Sequence, residues 1–170
     1  MIAANVGAVA LALPLDILLG IGFFLLHPEG GGTFDLLGML LVLFAFLALI
    51  VVHELIHGLV WGICAKRHWK AVSFGVIWKY LTPYCTCDEP LSRRAYVAGA
   101  LAPTIVLGLV PVAVAYATGS ILWLGIGLLM ILGGGGDLAI VLKILRFKPD
   151  GADVLYLDHP YECGLVAFVR

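Results

Sequence analysis

LALIVVHELIHGLVWGICA, residues 47–65, decides how the rest of the chain is read. It places His53, Glu54 and His57, three groups that water ordinarily keeps, inside a run apolar enough for hydrocarbon. The whole chain shares that character: of its 170 residues 62% are hydrophobic and 12% charged, where soluble domains are about half apolar and about a quarter charged. Its mean hydropathy is +1.09. This is the composition of a membrane protein. A net charge of −1 gives no electrostatic footing for nucleic acid, so a partner of that kind is not expected.

Working outward, four stretches are long and apolar enough to cross about 30 Å of hydrocarbon as helices: residues 2–26, 34–65, 95–117 and 121–145. A cleaved signal peptide is the rival reading of the first, but no Lys or Arg precedes its apolar run and the run is too long for a signal core. The expected fold is an all-α membrane protein, one integral domain over residues 1–170. A small β-hairpin-like loop joins helices two and three. That loop holds AVSFGVIWKYLTPYC (71–85), whose aromatic and β-branched residues favour strands over helix. In CDEPLSRR (87–94), Asp88 is the expected N-cap and Pro90 the first-turn residue of helix three. Thr118, Gly119 and Ser120 alone join helices three and four, which requires a tight antiparallel pair, and the C-terminal tail reads as a polar surface segment that ends in a strand and offers no readable motif.

All ten Lys and Arg fit on one side. Lys66, Arg67, Lys70, Lys79, Arg93 and Arg94 lie between helices two and three; Lys143, Arg146, Lys148 and Arg170 lie at the end of helix four or beyond. By the positive-inside rule both termini and the middle loop are cytoplasmic. Cys64, Cys85, Cys87 and Cys163 then sit where thiols stay reduced, and no disulfide framework is implied.

On a helix, residues i and i+4 lie about 40° apart around the axis and about 6 Å along it, so His53 and His57 can direct both imidazoles to one ion. Glu54 can reach a water on that ion. This is the H-E-x-x-H pattern of a zinc site whose Glu is the general base. A cluster satisfied only by hydrogen bonds is the alternative, but ionisable groups inside a span cost about 2.5 to 3.5 kcal/mol each on insertion scales, and a metal ion compensates three at this spacing.

A catalytic zinc takes three protein ligands and leaves the fourth position to water. The other acids well inside the spans are Asp16 and Asp137. His53 and His57 lie about 18 and about 12 Å from the cytoplasmic end of helix two, Asp137 about 12 Å from that of helix four, and Asp16 about 21 Å deep. Depth favours Asp137. So does the preceding run Gly133–Gly136, which permits close backbone approach or a bend. Asp16, His68 and Glu89 stay as alternatives.

VVHELIHG on a membrane helix, the hairpin-like loop, CDEPLSRR followed by LAP, and the Gly-rich turn into Asp137 together resemble a family of prokaryotic membrane proteins described as putative zincin peptidases. More distantly they resemble the site-2 protease class of intramembrane metalloproteases. The likeness covers roughly residues 45–165. It implies His53, His57 and Asp137 as zinc ligands and Glu54 as base, with Leu101, Ala102 and Pro103 in the place of an Ala-Gly-Pro segment. The Asn that follows that segment in site-2 proteases has no counterpart, since the chain's single Asn is Asn5.

The expectation is a zinc metallopeptidase of the cell membrane acting on a membrane-embedded or membrane-proximal polypeptide. A zinc hydrolase of a non-peptide amide or lipid-linked substrate would use the same four residues. A non-catalytic metal-binding or transport protein would need the ligands but not Glu54.

Overall fold

In a computed structural model, residues 2–29, 36–78, 82–147, 149, 153–159 and 164–169 are described. Apolar runs become helices: α1 is Ile2–Leu26 and α2 is Leu36–Cys64. After a 3₁₀ turn at His68–Ala71 come strands β1 (Val72–Ile77), β2 (Thr82–Cys87) and β3 (Leu91–Ser92). Helix α3 (Arg93–Pro103) passes through a π-helical stretch, Thr104–Leu109, into α4 (Val110–Thr118). Helices α5 (Ile121–Gly133) and α6 (Gly135–Arg146) follow, then strands β4 (Val154–Asp158) and β5 (Leu165–Val169).

Among the described residues, three helical segments are long and apolar enough to cross a membrane, Gly7–Leu26, Leu36–Cys64 and Arg93–Thr118. Where the fourth span is expected, over 121–145, α5 and α6 form a pair bent by 50° at Gly134 that is long and apolar enough taken together. Gly134 has no side chain to support a continuous helix, and a Cβ there would overlap the buried hydroxyl of Thr104. Outward faces of α1 and α2 carry Leu18, Leu37, Phe44 and other large apolar residues, exposed as lipid-facing positions would be.

The chain is mostly helical as expected, and among the described residues two small antiparallel sheets accompany the helices. One is the β1–β2 hairpin, with Val72 opposite Cys87 and Phe74 opposite Cys85; its turn, 79–81, lies outside the described residues. The other has the order β3-β4-β5, pairing Leu91 with Tyr156 and Leu157 with Val166. The tail is therefore structural. Because Leu91 and Ser92 pair with β4, α3 starts at Arg93 and the hydroxyl of Ser92 accepts the Ala95 N–H at 3.3 Å. Asp88, expected as the cap, instead pairs with Arg67 at 2.5 Å, and Pro90 precedes β3.

The chain divides into two compact units. One comprises Met1–Leu49 and Pro103–Ala139. There Ala12 packs with Val112 and Ile131, and Phe23 with Ala115 and Leu124. Gly127 lets α5 approach the backbone at Gly108 so closely that an added Cβ would sit 2.8 Å from that carbonyl. The Thr118–Ser120 connection is tight as expected, with Gly119 in the left-handed conformation that ends α4.

The other unit comprises Ile50–Ala102 and Ile140–Arg170. Its core includes Trp61, Ala71, Cys87, Tyr96, Ile144 and Tyr156. Arg93 donates from Nη2 to the carbonyls of Ile144 and Leu145 at 3.0 and 2.9 Å, satisfying acceptors that the end of α6 leaves unpaired.

Candidate metal site

Helical spacing sets His53 and His57 on one face of α2, and both are withdrawn from solvent, at 8% and 3% exposure. Their rings meet edge to face with centroids 4.8 Å apart. Glu54, on the next position round, is half-buried.

The clearest sign of a prepared ligand is at His57. Its Nδ1 lies 2.8 Å from the carbonyl oxygen of Gly99. A carbonyl only accepts, so Nδ1 carries the proton and the lone pair resides on Nε2. Metal-ligating histidines are held in this way, with the second nitrogen donating to a carbonyl or carboxylate that fixes ring and tautomer.

The sequence explains why that carbonyl is at hand. An α-helical carbonyl normally accepts the N–H four residues later, and the residue four after Gly99 is Pro103, which has none. Gly99 is needed for a second reason: a Cβ there would fall on the indole of Trp61, 2.8 Å from Cε2 and nearer still to Nε1 and Cδ1. That indole stacks on His57, centroids 5.1 Å apart and planes 15° from parallel.

The β1–β2 hairpin lies beside the same helix. Gly58, directly after His57, accommodates the ring of Phe74, which a Cβ at that position would overlap. On β2, burial pushes the Cys85 thiol well above its ordinary range, and the negative charge of Glu54 adds to the shift. The hairpin thus places Cys85 within electrostatic reach of the acid expected to act as base.

Asp137 is in the first turn of α6 and is half-buried. His53, His57 and Asp137 form a possible metal-binding group. The donor set, two neutral imidazoles and one carboxylate, is one that zinc accepts.

Among the described residues, none of the alternative ligands joins that group. Asp16 is buried in α1, its Oδ1 without a hydrogen-bond partner among the described residues. His68 is exposed, with Nδ1 3.3 Å from the Gly62 carbonyl. Glu89 accepts the Arg67 guanidinium at 2.6 Å and the Lys66 backbone N–H at 2.7 Å, which ties down the chain where it leaves α2. Sequence reasoning missed Gly99 and Trp61. The available signals were a Trp one turn after His57 and a Gly four before Pro103.

A family model described as "Putative zincin peptidase" matches residues 46–152, well over half of the chain. No curated protein and no solved structure matches it.

Proposed function

The chain belongs to the putative zincin peptidase family, and from that premise we propose that it is an integral membrane zinc metallopeptidase. In this reading His53, His57 and Asp137 hold the ion and Glu54 is the general base. The observation that carries it is the His57–Gly99 bond, which presents Nε2 as a neutral ligand from a buried helix face. A zinc ion bound there supplies a Lewis acid that acidifies water and polarises a peptide carbonyl.

The protein's own groups do the rest. Glu54 takes the proton from the attacking water and returns it to the leaving amine, and its half-buried position suits a carboxylate that must meet both water and substrate. Gly99 and Trp61 keep the His57 ring from turning. A helical substrate must unwind locally to present its carbonyl, since an intact helix shields it. The finer likeness to site-2 proteases rests on VVHELIHG, LAP and the Gly-rich approach to Asp137. The basic residues between α2 and α3 and after α6 support a topology with both termini and the hairpin on the cytoplasmic side.

Zinc content and cleavage of membrane-segment peptides by purified protein test the reading together. Wild type binds one zinc, His57→Ala and Asp137→Ala lose it, and Glu54→Gln keeps it while losing turnover. Full activity in Glu54→Gln, or undiminished zinc in Asp137→Ala, overturns it. Cleavage of lipid amides in place of peptides would reassign the substrate class.

A further inference from the structure

Behind His57, and beyond Trp61, runs a series of buried groups to which the proposed chemistry gives no role. Trp61, stacked on His57, tilts against Tyr96 with centroids 5.3 Å apart, and Tyr96 against Tyr156 of β4 at 6.1 Å. Hydrogen bonds follow the same route. The Trp61 Nε1–H donates to the carbonyl of Tyr96 at 3.2 Å. The Tyr96 hydroxyl donates to Oδ1 of Asp158, the last residue of β4, whose Oδ2 accepts the Cys87 backbone N–H at 2.8 Å. One carboxylate therefore joins α3, β4 and β2.

Tyr96 is 2% exposed, and Gly99 follows it by three residues on the same helix, so the two lie on neighbouring points of one face. Rotating or sliding α3 to move the Gly99 carbonyl would pull a buried phenol from its acceptor and leave both groups unsatisfied away from water. Asp158 lies beyond the stretch that the family model matches.

We propose that Asp158 and Tyr96 are positioning residues for the metal site: anchored in the C-terminal sheet, they fix α3 so that the Gly99 carbonyl holds His57 with Nε2 toward the ion. The inference rests on the zinc reading above. Neither residue touches metal or substrate. Their action passes through the backbone of α3 and the indole of Trp61.

The test uses the full chain in lipid nanodiscs, with two readouts. The first is zinc affinity by chelator competition together with the visible bands of the Co²⁺-substituted protein. The second is the ¹⁵N signature of the His57 tautomer in metal-free protein. Tyr96→Phe keeps the ring and removes the hydroxyl. It should weaken zinc about tenfold, the low end for partners that orient a ligand, and shift the Co²⁺ bands. Asp158→Ala should weaken zinc at least as much, since it also frees the Cys87 N–H, and the double variant should be no worse than Asp158→Ala alone, because Tyr96→Phe removes only a bond that Asp158→Ala already breaks. Asp158→Asn retains an oxygen acceptor and should recover most of the loss.

The proposal is overturned if Tyr96→Phe and Asp158→Ala bind zinc within about twofold of wild type with unmoved Co²⁺ bands, even when they melt earlier, since that is a merely structural tie. It is also overturned if the folded metal-free wild type shows no fixed Nδ1–H tautomer at His57, a result that needs no variant to fold. A wild type with that tautomer but no affinity for zinc would sink the zinc reading instead.

Discussion

Replacing Gly99 by Ala adds one methyl group, and the structure says where it goes. The new Cβ would lie on the Trp61 indole, 2.8 Å from Cε2 and closer to Nε1 and Cδ1. Trp61 is 5% exposed, stacked on His57 and hydrogen-bonded to the Tyr96 carbonyl, so the ring has no easy retreat. Overpacking of this kind costs about 1–3 kcal/mol, and a lost indole N–H bond about 1 more. Ala is the better helix former by about 1 kcal/mol. The net expectation is a loss of about 1–3 kcal/mol of stability, in the direction opposite to helix propensity.

Zinc affinity should fall as well, by about 10- to 100-fold, because the carbonyl that orients His57 moves with α3. Unfolding of the metal-free protein in detergent measures the first effect, and chelator competition the second. Combining Gly99→Ala with Trp61→Ala removes the colliding ring, so the double variant should lose less stability than the two single losses together. A Gly99→Ala protein as stable as wild type, with wild-type zinc affinity, would refute the packing of Trp61 on α3 and with it the account of how His57 is held.

Cys64 is exposed, whereas Cys85 and Cys87 are buried with thiols that burial holds in the protonated form, so in a Cys163→Ser background maleimide should label one site rapidly in the folded protein and two more on unfolding. Burial alone would raise the Glu89 carboxyl, but hydrogen bonds from the Arg67 side chain and from the Arg67 and Lys66 backbone outweigh it and the net shift is downward. A carboxylate lowered on folding contributes stability that is full above its ordinary value of 4.5 and is lost as pH falls through the lowered one, so wild type should lose this part in acid and Glu89→Gln should lack it at every pH. Pro103→Ala supplies an N–H that competes with His57 for the Gly99 carbonyl, and chelator competition should show zinc binding a few-fold weaker; unchanged or tighter binding would count against the role given to the proline.

What could be read from the sequence was whatever depends on short spacing. His53 and His57 share a face because four residues make about one turn, and no other part of the chain can change that. The hairpin, observed over residues 72–87, followed from the β-branched and aromatic residues of 71–85, interrupted by Gly75 and Pro83. The C-terminal strands were harder. Val154–Asp158 is short, carries no clean alternation, and becomes a strand because it pairs with Leu91–Ser92 and Leu165–Val169 across long separations. The Tyr96–Asp158 bond spans 62 residues of sequence, and only the register of three elements creates it.

The two departures from regular helix were both legible as residue types and illegible as outcomes. A Gly run before Asp137 allows either close packing or a bend, and the structure uses it for both: the chain turns by 50° at Gly134, while Gly135 brings α6 so near the backbone of Ala8 that a Cβ would lie 2.8 Å from its carbonyl carbon. Pro103 shows the same ambiguity. A proline within a helix disturbs its hydrogen bonding, and a π-helical stretch begins at the next residue, Thr104. Its consequence lies four residues upstream, where a carbonyl without its usual helical donor meets the imidazole of His57. A sequence can show that an acceptor has been left over, but which donor arrives is decided by the packing of α2 against α3, through Trp61 and Gly99, and that is a tertiary fact.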